Sequence, residues 1–336
     1  MKKILVTGGA GAIGTPLLEF LCSQVDYQIV VFDLFSRATR KKLSRFEGKL
    51  ELRFGDIRNL KEVEAVCEKV DIVIHLAAII PPLADTNPEL AYQVNVLGTE
   101  NLIQALEKKS KHAFILYASS VSVYGDRISH PFIKVSDPLV PSVQDHYAET
   151  KIKAEEIIKT SKLDWSIFRL SAIFGTSNLK VNHLLFLMPL RTSIEFSTTE
   201  DAARAFYQAI DKKALLKNKV FNLGGGENCR ISYEEFLTAT FEISGLGAID
   251  FPPQSFAEKN FHCGYYADGH KLEEILQFRR DTTESYLHRL EKTISPLQRK
   301  LTYLFRRPIK RYLLKLSDPY RAKRNKDIEE LKRYFN

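Results

Sequence analysis

Short apolar runs alternate, through the first half of the chain, with stretches in which apolar residues recur every three or four positions. Residues 4–6, 28–32, 51–54, 72–76, 113–117 and 165–170 are compact runs rich in β-branched, leucine and aromatic residues, and they predict strands. Between them, residues 16–24, 60–69, 88–109 and 147–159 carry the spacing of helices with one buried face. This alternation predicts parallel strands joined by crossover helices, an α/β doubly wound parallel sheet. After Gly175 the pattern loosens, until residues 199–210 read as a helix and 219–223 as a strand rejoining the sheet edge. Residues 176–198 and 224–292 are left over for a smaller substrate lobe.

Composition changes this picture little until the charge is located. Of 336 residues, 44% are apolar and 27% charged, an ordinary balance for a soluble globular protein, and the longest apolar runs are strand-sized. Lys2 and Lys3 precede an apolar stretch too short for a secretion signal, so a cytoplasmic location is expected. The formal charge of +8 resides at the C-terminus: residues 297–336 hold 13 Lys and Arg against 4 Asp and Glu, leaving 36 basic and 37 acidic residues elsewhere. Pro296 marks the expected start of this basic helical tail. In helical projection Leu297, Leu301, Leu304, Phe305, Ile309 and Tyr312 share one side, while Arg299, Lys300, Arg306, Arg307, Lys310 and Arg311 lie on or near the other, with a break expected near Pro308. Such a helix either lies on an anionic membrane, here at its inner face, or packs its stripe on the protein body. Tyr303, Tyr320, Tyr334 and Phe335 are interleaved with the charges, but no reading motif accompanies them and nucleic-acid binding is not expected. Cys22, Cys67, Cys229 and Cys263 have no paired spacing, so neither a metal site nor a disulfide framework is expected.

Candidate chemistry begins after the first strand, in Thr7-Gly8-Gly9-Ala10-Gly11-Ala12-Ile13-Gly14. Glycine at positions 8 and 11 permits a tight turn whose amides approach a pyrophosphate, with Ala12 and Ile13 in the same turn, and Gly14 lets helix and strand pack closely. Asp33 ends the second strand nineteen residues beyond Gly14, just before Leu34. A carboxylate there bonds both hydroxyls of an adenosine ribose and repels a 2′-phosphate, so NAD is expected over NADP. Arg37, Arg40, Lys41 and Lys42 are the features that would favour the phosphate.

Further signatures follow in order: Gly55-Asp56-Ile57, His75-Leu76-Ala77-Ala78, Asn95-Val96-Leu97-Gly98-Thr99, and Ser119-Ser120-Val121-Ser122-Val123-Tyr124-Gly125. With Tyr147 and Lys151, four apart in Tyr-Ala-Glu-Thr-Lys, the set resembles the extended short-chain dehydrogenase/reductase family, the nucleotide-sugar epimerases and dehydratases. The resemblance is strong over residues 1–175, weaker over 196–290 through Asp201-Ala202-Ala203-Arg204-Ala205 and Phe221-Asn222-Leu223-Gly224-Gly225, and does not reach the tail. It implies an NAD-binding Rossmann domain over 1–175 with 199–223 returning to it and a lobe over 176–198 and 224–295, while the tail over 296–336 is set off by Pro296 and its charge. It further implies that Asp56 and Ile57 contact the adenine, that Leu76, Ala77 and Ala78 line the dinucleotide, that Asn95 and Ser171 help hold its nicotinamide half, and that Tyr147 and Lys151 also contact the cofactor. A homodimer built from the helices at 88–109 and 147–159 is also implied.

The chemistry expected of this set is proton and hydride traffic at a carbinol carbon. A free tyrosine titrates near about 10 and is a poor base at neutral pH unless its anion is stabilised. Lys151, one helical turn from Tyr147, is expected to supply that stabilisation, and Ser120, aligned with the family's catalytic serine, to bond the same substrate oxygen. His75 ends a buried strand and is expected to be a packed core residue. In the family's dehydratases and decarboxylases acidic residues follow the catalytic hydroxyl, where this chain has Val121 and Ser122. Elimination is thereby disfavoured, and a C4 epimerase of the UDP-galactose 4-epimerase type acting on a nucleotide sugar is the first expectation. Ala172 and Thr176 depart from the epimerase pattern, and the segment 176–198 is short. The alternative is an NAD(P)-dependent dehydrogenase or reductase of a smaller or apolar alcohol, similar to the hydroxysteroid dehydrogenase and dihydroflavonol reductase branch.

Overall fold

A computed structural model describes residues 1–24, 26–176 and 183–335. The first half alternates as predicted: β1 (Lys2–Thr7), α1 (Gly14–Cys22), β2 (Tyr27–Asp33), α2 (Arg37–Leu43), β3 (Glu51–Phe54), α3 (Leu60–Val66), β4 (Ile72–His75), α4 (Leu83–Thr86), α5 (Pro88–Tyr92), α6 (Gly98–Lys109) and β5 (Phe114–Ser120). The chain continues through β6 (Phe132–Ile133), α7 (His146–Thr160), β7 (Asp164–Leu170), β8 (Ala172–Phe174), α8 (Leu184–Leu187), β9 (Ser193–Thr198), α9 (Thr199–Ala209), α10 (Lys213–Leu216) and β10 (Lys219–Leu223). It closes with β11 (Arg230–Ser232), α11 (Tyr233–Ser244), β12 (Tyr265–Tyr266), α12 (His270–Leu276), α13 (Thr283–Lys292), α14 (Pro296–Leu304), α15 (Arg306–Leu314), α16 (Asp318–Asn325) and α17 (Ile328–Tyr334).

Seven strands pair in parallel in the order β3-β2-β1-β4-β5-β7-β10, the doubly wound sheet expected from the alternation. Strand pleating sends alternate residues to opposite layers. Ile4, Val6, Val31, Ile74 and Leu116 meet Leu17, Leu21 and Phe206 of α1 and α9, while Leu5, Val30, Val73, Ile115 and Ile167 meet Val63, Leu102 and Ile158 of α3, α6 and α7. Strands covered on both faces read as unbroken apolar runs, which is why they were legible in the sequence. Strand order reverses between β1 and β4, and the crevice beyond their C-terminal ends is the place where such sheets bind ligands.

Two helices differ from expectation. The segment 60–69 ends its helix at Val66, and the chain then turns through Lys69 at a left-handed φ of 53°. The segment 88–109 is not one regular helix: a π-helical stretch, Gln93–Leu97, separates α5 from α6 and turns Asn95 inward. Asn95 Oδ1 accepts from Ile79 N (2.7 Å) and its amide donates to Ile79 O (2.9 Å) and Thr150 Oγ1 (3.0 Å).

The smaller lobe is a three-stranded sheet, β11-β9-β8, packed beside α11 and α13. Phe174 sits at its centre, 4.7 Å from Phe196, 4.6 Å from Phe236 and 5.5 Å from Tyr286 between ring centroids. Of the predicted lobe segment 176–198, residues 177–182 lie outside the described residues.

The tail divides in two. Ser295 caps α14 with Pro296 in its first turn, and the break falls at Phe305 rather than at Pro308, which occupies the first turn of α15 where a missing N–H costs nothing. Leu297, Leu301, Leu304, Phe305 and Tyr312 are exposed, whereas Ile309, Leu313 and Leu316 pack into the lobe core. Beyond them the chain is pinned to the body: Ser317 Oγ donates to Ser255 O (2.6 Å), Glu258 N donates to Tyr334 O (2.8 Å), and Tyr334 and Phe335 are buried with Ala257 and Ala322. Among the described residues no helix is long and apolar enough to cross a membrane. All four cysteines are free, with Cys67, Cys229 and Cys263 buried and Cys22 partly exposed.

His75 is the packed core histidine expected. Its Nε2 meets Thr99 Oγ1 (3.0 Å), whose own proton goes to Asn95 O (2.7 Å), so Nε2 is assigned as the donor. Nδ1 then accepts from Thr7 Oγ1 (2.7 Å), which in turn accepts from Ala77 N (3.3 Å). Burial, aided by Lys151, lowers the imidazole from its ordinary 6.5 to about 3. Between those values the unfolded chain binds a proton that the folded one refuses, so stability contributed by neutral His75 is lost as pH falls below about 6.5. Replacing His75 by glutamine is expected to flatten the acid limb of stability by up to about 1.4 kcal/mol per pH unit, read as urea midpoints compared across that window.

Candidate functional site

The loop after β1 turns where a side chain has no room. Gly8 adopts φ +75°, and a Cβ on it would lie 2.7 Å from Ala77 N; a Cβ on Gly14 would lie 2.5 Å from Gly8 O. At Gly11, which lines the cleft, a Cβ would meet only Gly8 O, at 3.1 Å. Gly11 is therefore needed less for packing than for the space in front of it. α1 opens without a side-chain cap at Ile13, so no side chain satisfies its first amides, the arrangement that suits an anion.

Gly8, Gly11, Asp33, Leu34, Asp56, Ile57, Leu76, Ala77 and Ala78 come together around one cleft of about 360 Å³. Gly14 lies behind them in the helix–loop contact, and Ala12 and Ile13 flank it at the start of α1. Asp33 accepts from Ala10 N (2.8 Å) and Leu34 N (2.8 Å), and burial raises its carboxyl above the usual range. It thus braces the glycine turn while keeping lone pairs for ligand hydroxyls. Asp56 pairs with Arg58 (2.5 Å), which holds its carboxyl below the usual range. Asn59, not Asp56, caps α3. Asn95 stands behind Ile79, a residue of the cleft wall, with both amide protons engaged there and at Thr150, so its place is to position that wall.

Beyond the cleft, Ser120 ends β5 while Tyr147 and Lys151 share one face of α7. Ser120 Oγ accepts from Ser122 N (3.2 Å) and Ser122 Oγ (3.0 Å), which leaves its own proton for the phenol of Tyr147. Tyr147 is partly exposed. Its neighbours' burial of the hydroxyl raises its pKa, the Ser120 hydrogen bond works against that, and the Asp145 carboxylate adds to it. Lys151 is buried, donating to Ala118 O (2.7 Å) and Tyr117 Oη (3.2 Å), with its nitrogen 5.8 Å from the Tyr147 ring centroid. Burial lowers the amine to about 7, with Glu155 pulling the other way. The expectation that Lys151 lowers the Tyr147 pKa is therefore modified: in the protein alone Ser120 is the group that favours the anion.

Ser122 and Tyr117 are contributors that sequence reasoning missed; the alternation of β5 was the available signal for Tyr117. Glu155 was also missed. It lies one turn beyond Lys151 and is buried, accepting from Arg169 Nε (2.9 Å) and Nη2 (2.8 Å), Lys159 Nζ (2.7 Å) and Ser119 Oγ (2.6 Å). Ser171, at the end of β7, has a buried hydroxyl with no protein partner. An uncapped helix start and an open glycine position in the cleft, with an orphaned hydroxyl after β7 on the same edge of the sheet, fit a polar dinucleotide.

Residues 4–224 match the NAD dependent epimerase/dehydratase family. The chain is 28% identical over 227 residues to a decarboxylating sterol-4-alpha-carboxylate 3-dehydrogenase of Schizosaccharomyces pombe, covering 63% of this chain and 65% of that one. It is 37% identical over 131 residues to a CDP-paratose 2-epimerase of Salmonella typhi, covering 37% of this chain and 38% of the other. The chain thus spans less than two thirds of the length of these relatives. In three dimensions it resembles a UDP-glucuronic acid 4-epimerase of Bacillus cereus with a TM-score of 0.71 at 22% identity, over 87% of this chain and 99% of that one. At that identity the likeness speaks for the fold.

Proposed function

Because the chain belongs to the NAD dependent epimerase/dehydratase family, we propose that it oxidises and re-reduces one carbinol carbon of a nucleotide sugar, with Tyr147 as the base. Supporting this reading, Ser120 at the C-terminal end of β5 bonds to Tyr147, with the Lys151 nitrogen 5.8 Å from that ring, on the same edge of the parallel sheet as the loops after β1 and β4 that line the glycine cleft. NAD, when bound there, supplies the hydride acceptor and donor. Gly8, Gly11, Ala12, Ile13 and Gly14 would hold its pyrophosphate, Asp33 and Leu34 its ribose, Asp56 and Ile57 its adenine, and Leu76, Ala77, Ala78 and Ser171 the remainder, with Asn95 positioning the wall.

The protein's own part is proton management. Tyr147 Oη takes the substrate hydroxyl proton. Ser120 Oγ, held by two donors from Ser122, presents its single proton to the developing charge. Lys151, poised near neutrality, is able to carry a positive charge beside the phenolate when one forms. With Val121 and Ser122 following Ser120, no acid stands there to expel a leaving group. The test is to supply UDP-hexoses to the NAD-loaded protein. A product epimeric at one carbon should accumulate with no net change at the reduced-nicotinamide band, whereas a stoichiometric absorbance rise would assign a net dehydrogenase.

The second reading, a dehydrogenase of an apolar alcohol, draws on the sterol dehydrogenase relative and on Pro81, Val143, Leu184 and Leu187, which line the space beside α7. We also propose a cytoplasmic homodimer formed through α5, α6 and α7, which lie side by side. For the tail we propose contact with an anionic membrane surface through α14 and the start of α15. Leu297, Leu301, Leu304 and Phe305 stand exposed among Arg299, Lys300, Arg306 and Arg307, an arrangement that combines apolar insertion with charge attraction. Leu301→Asp with Leu304→Asp is expected to reduce cosedimentation with phosphatidylserine vesicles severalfold. Equal sedimentation would remove the membrane from the account.

A further inference from the structure

A second cavity, of about 170 Å³, opens beside the N-terminus of α7. Asp145, which caps that helix by accepting from Ala148 N (2.9 Å), lies on its wall, two residues before Tyr147. Pro81 and Asp85 close one side and His262 another, with His262 Nδ1 3.3 Å from Asp145 Oδ2. The remaining wall comes from the far end of the chain: Arg333 and Tyr334 of α17.

Three observations make this more than a crevice under a docked helix. Ser142, also on the wall, has a hydroxyl oxygen shielded from solvent and without a partner. Arg333 pairs loosely with Glu330, at 3.7 Å, and lies over the Tyr334 ring at 5.4 Å, and it acts electrostatically on Asp85, as do Asp145 and His262, so these charged groups share one small space. Finally, the register of α17 is fixed, since Glu258 N donates to Tyr334 O (2.8 Å) and Tyr334 and Phe335 are buried against Ala257. The last helix is thus held where its side chains are presented to the cavity.

We infer that α17 is a specificity element of the substrate site, in which Arg333 and Tyr334 form the outer wall around a hydroxyl-bearing ring of hexose size. A sugar offers donors that Asp85 and the free lone pairs of Asp145 accept, acceptors for the Arg333 guanidinium and the Ser142 hydroxyl, and an apolar ring face for Phe261 and Tyr334. The cations on the wall, Lys259 and Arg333, are offset by Asp85 and Asp145, so the cavity offers a diphosphate no net positive charge, which places the charged portion of the substrate outside it. This inference rests on the nucleotide-sugar reading above and names the part of the chain that selects the sugar.

The test measures binding of UDP-glucose and UDP-glucuronic acid by calorimetry to the NAD-loaded full chain, to Arg333→Ala, and to a chain ending at Asp327. NAD content is recorded for all three. Arg333→Ala is expected to weaken binding of at least one of these sugars about tenfold, and loss of α17 to weaken it further, with NAD content unchanged in both. UDP alone should bind the three proteins equally. Equal sugar-nucleotide affinities across the three overturn the inference and leave the nucleotide-sugar reading standing. Failure of the intact chain to bind any sugar nucleotide overturns that reading and the sugar assignment with it. Arg333→Ala keeps the test valid if the shortened chain does not fold.

Discussion

Replacing Tyr147 by phenylalanine is expected to lower turnover by about 10²–10⁴-fold, the usual contribution of a positioned acid–base group. The substitution removes one oxygen and keeps the ring over which Lys151 lies, at 5.8 Å. Because the residues lining the glycine cleft come from the end of β2, the segments after β1 to β4, α2 and the α5 region rather than from α7, NAD retention should be unaffected. The loss should fall in kcat, since the phenol acts on a proton that moves only during reaction. Ser120→Ala should give a smaller loss, as Ser122 remains to fill the space near the substrate oxygen. A Tyr147→Phe protein within about threefold of the parent in single-turnover assays would remove Tyr147 from the chemistry and direct attention to Lys151.

Glu155→Ala is expected to cost about 3–5 kcal/mol of stability, measured by urea denaturation, because it leaves the Arg169 guanidinium buried without its partner. Burial alone would push the Glu155 carboxyl up; hydrogen bonding and charge from Arg169 and Lys159 overcome this and hold it below the usual range. Arg169 is also tied to Tyr124 Oη (2.8 Å), which donates to Asn222 Oδ1 (2.7 Å), so the pair joins α7, β7 and β10 through one polar chain. Combining Glu155→Ala with Arg169→Met should destabilise far less than the two losses added, since the stranded charge is gone. Additive losses would mean that the two side chains act separately. The same carboxylate lies one turn from Lys151 and raises its pKa, so Glu155→Gln should also shift the pH dependence of any step that needs the Lys151 ammonium.

The sheet was legible in the sequence because parallel strands covered on both faces must be apolar along their length, and the glycines at 8 and 14 because close backbone approach leaves a side chain no room, with Gly11 completing the spacing. What the sequence hid were features set by tertiary context. The π-helical stretch at Asn95 has no local signal, since its residues fit a regular helix equally well. Ser122 was noticed only as a missing acid, although its amide and hydroxyl orient Ser120; that role depends on the turn after β5, which periodicity does not encode. The tail reads as one amphipathic stripe, yet Ile309 and Leu313 face the lobe while Leu304 and Phe305 face water, because the chain bends at Phe305. Nothing in residues 328–335 indicates that they return to the cavity beside the start of α7, a contact between positions far apart in sequence.

The unequal burial of the four thiols has a practical outcome. Cys22, at the last turn of α1 and remote from the cleft, is the partly exposed one, and burial holds its thiol above the usual titration range. Maleimide dyes should therefore couple at this single position, slowly at neutral pH and faster under mildly alkaline conditions, yielding a uniformly tagged protein for fluorescence work without any cysteine having to be engineered away.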